Sequence, residues 1–303
     1  MPQFRAHFDA TAEFTNGGEL TAKEFRIDLP GPVADEQLVG RLFVQSLGLA
    51  LVARTIITNL QVVEEQHRGT RGIETSVAPA AARTYVELSH VIRAGLDTYP
   101  GLPVPTITPH LTREDSASHY APGTEFAMDI LTMIGNTGTY LDSPFHRYEG
   151  GTDLAGLSLE SLVDLPAEVF HVHDSAERGI PASVFLDRDI RGKAVLLHTG
   201  WSRLFGTPAY ATDAPFLSAG GVDYLLENDV TLVGIDSLNI DDTSADAAGE
   251  RPAHTRLLAA GVHVVEHLTN LGALPASGAT FTATPPLIEH FGTFPVRAFA
   301  TLR

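Results

Sequence analysis

The chain has 303 residues, 44% of them hydrophobic, with 37 Asp and Glu against 20 Lys and Arg and a formal net charge of -17. That length and apolar content suffice for one large domain or two unequal ones, and the acidic balance without a Lys/Arg cluster leaves no surface for phosphate backbones, so nucleic acid is not an expected partner. With no cysteine there is no disulfide, thiolate metal site or cysteine nucleophile, and any transition metal has to be held by His, Asp and Glu.

The start MPQFRAHFDATAEF lacks the charged region and apolar run of a secretory signal, and no stretch approaches the roughly 18 apolar residues of a membrane span. A cytoplasmic protein without a membrane partner is expected. From residue 4 to 15, apolar positions alternate at Phe4, Ala6, Phe8, Ala10, Ala12 and Phe14, which predicts a strand with one buried face. Asn16-Gly17-Gly18 supplies a tight turn, and ELTAKEFRIDLP reads as the returning strand. Leu38, Leu42, Phe43, Leu47, Leu49 and Leu51 suit an amphipathic helix started by Asp35, and TIITNLQVVEE reads as a third strand. Residues 1–75 are thus expected to form a small ββαβ domain.

Between Gly69 and Arg83 the sequence mixes Gly, Pro, Ala and polar residues without periodicity, the mark of a linker. A second domain is expected over 84–303. Its short apolar runs, KAVLLHTG, VTLVGID and VHVVEHL, are separated by turn residues and helical patterns such as AGGVDYLLEND, which indicates α/β organisation.

The densest unusual segment is Asn136-Thr137-Gly138-Thr139-Tyr140-Leu141-Asp142-Ser143-Pro144-Phe145-His146. Glycine and proline fix the backbone while a carboxylate and an imidazole sit four residues apart, a pairing suited to acid/base work because histidine titrates near neutral pH and a carboxylate can hold its tautomer. The alternative is that Asp142 caps a turn and His146 is an ordinary satisfied polar residue. A second cluster pairs His254 with Glu266, twelve residues later. If a helix ends at Gly261 and VHVVEHL is the next strand, the two can converge at one end of a sheet. Asp236, Asp241 and Asp242 read as turn caps. Trp201 either walls a pocket or packs in the core, and His110, His119, His171, His173, His263 and His267 read as surface or turn histidines.

From about Tyr85 onward the chain resembles the cyclase superfamily that includes bacterial kynurenine formamidase, isatin hydrolase and several polyketide ring cyclases. The matching stretches are ELSHVI with YPGLP, TGTYLDSPFH, GKAVLLHTGWSR, VTLVGIDSLNID, AHTRLLAAGVHVVEHLTNL and a Pro-Val-Arg ending. The resemblance implies a cyclase-type α/β domain with a β-barrel-like central sheet flanked by helices, behind the small ββαβ domain, and a homo-oligomer, commonly a homodimer. In metal-dependent members the central motif is His-x-Gly-Thr-His-x-Asp-x-Pro-x-His. Its metal-binding aspartate falls on Asp142 and its proton-transferring histidine on His146, while the two metal-binding histidines are replaced by Asn136 and Tyr140.

A further histidine and glutamate that complete a two-metal site in the formamidases correspond to His254 and Glu266. Neither an amide nor a phenol ordinarily replaces imidazole as a ligand. The expected site therefore holds no metal, or one divalent ion, Zn or Mn, on Asp142, His254 and Glu266. The expected catalytic set is His146, Asp142, Tyr140 and Asn136, the latter two donating to an oxyanion, with Trp201 and Thr139 beside a small-molecule substrate. The expected reaction is hydrolysis of a cyclic or aryl amide or ester. The alternatives are metal-independent ring closure or dehydration of a polyketide-like intermediate, and a non-catalytic ligand-binding homologue.

Overall fold

The computed structural model describes residues 3–65 and 83–302, so the linker expected at Gly69–Arg83 lies outside the described residues except for Arg83. The backbone separates into two compact units, Met1–Ala78 and Pro79–Arg303.

In the first unit β1 (Gln3–Phe14), β2 (Glu19–Leu29), α1 (Glu36–Ser46) and β3 (Val52–Glu65) follow in order, and the strands form an antiparallel sheet ordered β2-β1-β3. The alternation of β1 decides which face is covered. Ala6, Phe8, Ala10 and Ala12 are buried with Val39 and Phe43 of α1 and Ile57 of β3, as the period of two requires. Asp35 caps the helix by accepting from Leu38 N at 2.7 Å, one of the amides a helix start leaves unpaired. The helix is shorter than its leucines suggest. Gly48 (φ 62°) and Leu51 (φ 61°) adopt left-handed backbone, which stops the helix and leaves Leu47, Leu49 and Leu51 in the connection, so β3 starts at Val52 rather than Thr55.

The second unit runs β4 (Thr84–Glu87), β5 (Thr106–Leu111), α2 (Arg113–Ser116), β6 (Met128–Thr132), β7 (Tyr140–Asp142), β8 (Leu165–His171), β9 (Gly179–Ile180), β10 (Ala194–His198), β11 (Phe216–Leu217), α3 (Ala219–Glu227), β12 (Leu232–Ile235), α4 (Pro252–Ala259), β13 (His263–Glu266), β14 (Ser277–Thr282), β15 (Thr293–Pro295) and β16 (Phe299–Leu302). Nine of these strands form one mixed sheet, ordered β15-β7-β13-β12-β10-β8-β14-β16-β4 and curled into half a barrel.

The centre, β13-β12-β10-β8, is parallel. Its strands are short, apolar and covered on both faces, as parallel sheets require. One face carries Val169, Leu196, Leu232 and Val265, and the other packs Val195, Val233 and Val264 against Val222 and Leu225 of α3 and Leu257 and Leu258 of α4. The fold is α/β with a barrel-like sheet, as the resemblance implies. Among the described residues no helix is long and apolar enough to cross a membrane.

Candidate active site

The site grows from the register of β7, which lies between β13 and β15 and is antiparallel to both. Tyr140 stands opposite Glu266 on one side, and Asp142 stands opposite Thr293 on the other. All three residues of β7 are buried. Beyond the strand, Pro144–His146 form a single 3-10 turn with proline in its first turn, where the missing N–H costs nothing. Ser143 N (2.8 Å) and Oγ (3.0 Å) both donate to Gly292 O. A Cβ at Gly292 would lie only 2.4 Å from His146 N, so this glycine lets the turn carrying His146 close onto the chain entering β15.

Thr293 links the acid to the base. Its hydroxyl Oγ1 donates to Asp142 Oδ1, and His146 Nδ1 lies 2.6 Å from that same Thr293 Oγ1. A carboxylate only accepts, so the hydroxyl proton goes to Asp142 and the Thr293 oxygen must accept from Nδ1–H of His146. The neutral imidazole therefore keeps its basic electron pair on Nε2, which lies 3.8 Å from Asp142 Oδ1. Asp142 is wholly buried. Burial pushes its carboxyl up, but His254, His146 and Thr293 together outweigh that and leave it below the ordinary value.

His254 enters from the first turn of α4. Asp241 accepts from Ala253 N (2.6 Å) and His254 N (3.0 Å), capping the helix, and also from His254 Nδ1 at 2.7 Å. The other ring nitrogen, Nε2, faces Asp142 Oδ2 at 3.5 Å and Glu266 Oε1 at 3.7 Å. Burial works against a charged His254, yet the carboxylates of Asp142, Asp241 and Glu266 prevail and raise it well above the ordinary histidine value. Burial lifts Glu266 to about 7, although it accepts from Tyr140 Oη and Ile240 N, both at 2.6 Å.

These groups open on a cavity of about 300 Å³ lined by Asn136, Tyr140, His146, His254 and Glu266, with Tyr99, Leu102, Arg147, Asn239 and Arg251 completing the wall. Five positions singled out in the sequence thus meet at one hollow, with Asp142 directly behind them. Tyr140 is set differently from the expectation. Its hydroxyl proton is directed at Glu266, and its oxygen faces His267 Nε2 at 3.3 Å and a hydrogen bond from Asn136, so it has no proton to offer an oxyanion.

Two other expected residues stand away from the cavity wall. Thr139 is buried, donates to His267 O at 2.6 Å and accepts from His90 N at 3.0 Å; this pins the strand to its neighbours. Trp201 packs with Tyr99, Leu204 and Tyr210 and donates its indole N–H to Tyr210 O at 2.9 Å. His263 and His267 are buried rather than superficial. His263 sits on β13, between covered faces, opposite Ser161 Oγ at 3.0 Å, and burial pushes His267 down to about 3 between Tyr210 and Tyr140.

Sequence reasoning missed Thr293, the second role of Asp241, and the wall residues Asn239, Arg147 and Arg251. Asn239 accepts from Asp241 N at 2.9 Å through Oδ1; its amide N–H groups are left for the cavity.

The donor set fits one divalent ion. Ligand atoms of Asp142, His146 and His254 lie within 4.8 Å of one another, Glu266 Oε1 is close by, and Asp142 Oδ2 is buried without a hydrogen-bond partner. His254 Nε2 faces that oxygen at 3.5 Å, and an ion would take the place of the ring's proton there; the Asp241 carboxylate behind His254 is the outer partner that a ligating imidazole ordinarily has. Positions 136 and 140 add no ligand for a second ion, because one is an amide and the other is committed to Glu266.

A buried carboxylate coupled to a partly exposed imidazole beside a polar hollow is the equipment of an enzyme, here mounted on an α/β sheet. The family model described as "Putative cyclase" matches residues 86–242, slightly over half of the chain, and the chain belongs to that family. Kynurenine formamidase of Geobacillus thermodenitrificans is 29% identical over 170 residues, 55% of this chain and 77% of its own. Isatin hydrolase of Roseibium aggregatum is 26% identical over 219 residues, 64% of this chain and 81% of its own. Among solved structures, an isatin hydrolase bound to the product analogue thioisatinate superposes with a TM-score of 0.62 at 22% identity, covering 74% of this chain and 94% of that one. A potential metal-dependent hydrolase with cyclase activity gives 0.59 at 24% identity, covering 73% and 99%. These relatives are hydrolytic enzymes, and the two structures share the fold.

Proposed function

We propose that the protein hydrolyses a cyclic or aryl amide or ester, with His146 moving the proton. The observation that carries this reading is the Asp142–Thr293–His146 relay, which leaves the basic Nε2 of His146 beside the cavity. Nε2 takes a proton from water as the water oxygen bonds to the substrate carbonyl carbon. Asn136 and Asn239 donate amide N–H groups to the oxyanion that forms. The carbon–nitrogen or carbon–oxygen bond then breaks, and the imidazolium returns its proton to the leaving atom, giving a carboxylate and an amine or alcohol.

Asp142 and Thr293 hold the ring in the tautomer that leaves Nε2 unprotonated. Arg147 and Arg251 line the same cavity, which favours a substrate that carries or acquires a carboxylate. Asp142 and His254, with Glu266 Oε1 3.7 Å from His254 Nε2, would hold one divalent ion and leave His146 free to move the proton; when bound, the ion would polarise a carbonyl and acidify water. Tyr140 and Ile240 fix the Glu266 carboxylate, and Asp241 fixes the His254 ring. We also propose self-association. The β5–β6 hairpin exposes Ile107, Met128, Ile130 and Leu131, an apolar surface of the kind that marks an interface.

The test is turnover of a panel of aryl formamides, lactams and aryl lactones, before and after chelation. Hydrolysis of at least one member with release of a carboxylate is expected. Failure on the whole panel, with enolisation or ring closure of a poly-β-ketone instead, would replace this reading with that of a cyclase.

A further inference from the structure

Away from the cavity, three histidines meet at one end of the central sheet. His171 ends β8, and His198, its in-register partner, ends the neighbouring parallel strand β10. His173 follows two residues after His171, the spacing that returns a side chain to the same face of an extended chain. The rings of His171 and His198 are 5.0 Å apart and those of His173 and His198 are 4.9 Å apart. One nitrogen from each ring lies within 4.8 Å of the other two, and the Nδ1 atoms of His171 and His198 approach to 2.8 Å. None of the three lines the cavity described above.

We propose that His171, His173 and His198 form a binding site for a divalent transition ion of the zinc type, independent of the active site. Zinc–nitrogen bonds of about 2.0–2.1 Å in a tetrahedron place ligand nitrogens about 3.3 Å apart; the Nδ1 atoms of His171 and His198 are 2.8 Å apart, and one nitrogen of each ring lies within 4.8 Å of the others. Small side-chain rotations suffice to close the site. Three imidazoles suit zinc, copper or nickel and not the hard cations that prefer carboxylates.

Without an ion, the 2.8 Å approach of the two Nδ1 atoms is a hydrogen bond in which one ring's Nδ1–H donates to the other. A bound ion would replace the single proton that these two nitrogens share and draw on the electron pairs of both. Gly272 lies against the far edge of the His198 ring, where a Cβ would stand 3.3 Å from Nε2, so the ring offers Nδ1 to the cluster. Asp174 Oδ2, 3.3 Å from His173 Nε2, adds a carboxylate at the rim. With three protein ligands, the fourth position is open to solvent. The ion would tie the turn after β8 to the end of β10.

The test is equilibrium dialysis of the metal-stripped protein against Zn²⁺, comparing wild type with a His171→Gln/His173→Gln variant and with an Asp142→Asn/His254→Gln variant. The first pair changes exposed side chains, and His173→Gln alone serves as a milder second variant. The cluster variants are expected to lose one equivalent that the cleft variant keeps, with affinity at that site falling at least tenfold. Cu²⁺ bound to the cleft variant should show nitrogen hyperfine structure from three imidazoles that the His171→Gln/His173→Gln variant lacks. Hydrolytic turnover should be unchanged in the cluster variants. Equal Zn²⁺ stoichiometry and affinity in wild type and cluster variants would overturn the proposal, as would loss of all bound Zn²⁺ in the cleft variant.

Discussion

Replacing Thr293 by valine keeps the shape of the side chain and removes only the hydroxyl between acid and base. The buried Asp142 Oδ1 loses the donor it has in Thr293, and Nδ1–H of His146 loses its acceptor. A hydrogen bond to a charged group is worth about 1.5–3 kcal/mol. The bond from Nδ1 strengthens when Nε2 takes a proton, so most of that loss falls on the transition state. At about 1.4 kcal/mol per decade of rate, kcat should drop roughly 10- to 100-fold while KM changes little. The assay is steady-state kinetics of Thr293→Val and Thr293→Ser on the best substrate of the panel, with Thr293→Ser recovering most of the activity because its hydroxyl can rebuild both bonds. Wild-type kcat in Thr293→Val, or equal impairment of both variants, would refute the relay.

Three further outcomes follow from the geometry. Gly292→Ala forces a methyl group onto the His146 backbone, so it should cost about 1–3 kcal/mol of stability, read by denaturant unfolding, and depress kcat as the 3-10 turn shifts. Asp241→Asn weakens both the cap of α4 and the support of His254, and should lower metal affinity about 10- to 100-fold, measured by competition with a chromophoric chelator. Asp236, buried under donors from Thr199 and Gly200, is pushed up by burial from 3.8 to about 6. Between those values the folded chain holds a proton that the unfolded chain has released, so its contribution is complete below about pH 4 and is lost as pH rises through 6. Asp236→Asn should flatten that decline in Tm across pH 4–6.

The strands of the first unit and the apolar runs at the centre of the second were legible because their signals are local. The alternation of β1 names its buried face, and the β-branched runs of β12 and β13 name the sheet centre. Asp142, His146, His254 and Glu266 were legible as a carboxylate–imidazole spacing and a histidine–glutamate pair, given meaning by the family motif. Thr293 was not legible, since it lies 151 residues from Asp142 and meets it only through the pairing of β7 with β15. Asp241 was readable as a cap, but its bond to His254 Nδ1 depends on how α4 starts. Tyr140 was readable as a hydrogen-bond donor, and only the register of β7 with β13 shows that Glu266 takes its proton. The buried positions of His263 and His267 were hidden because a histidine carries no burial signal unless the strand around it is known to lie at the sheet centre.

The central claim is that the His146 imidazole carries the proton in catalysis. Its most direct test is kcat for His146→Ala, set beside the wild type on one hydrolysed substrate with circular dichroism showing both folded. A loss of at least about 100-fold is expected, the low end of what a positioned acid/base group contributes, and turnover within twofold of wild type would contradict the account.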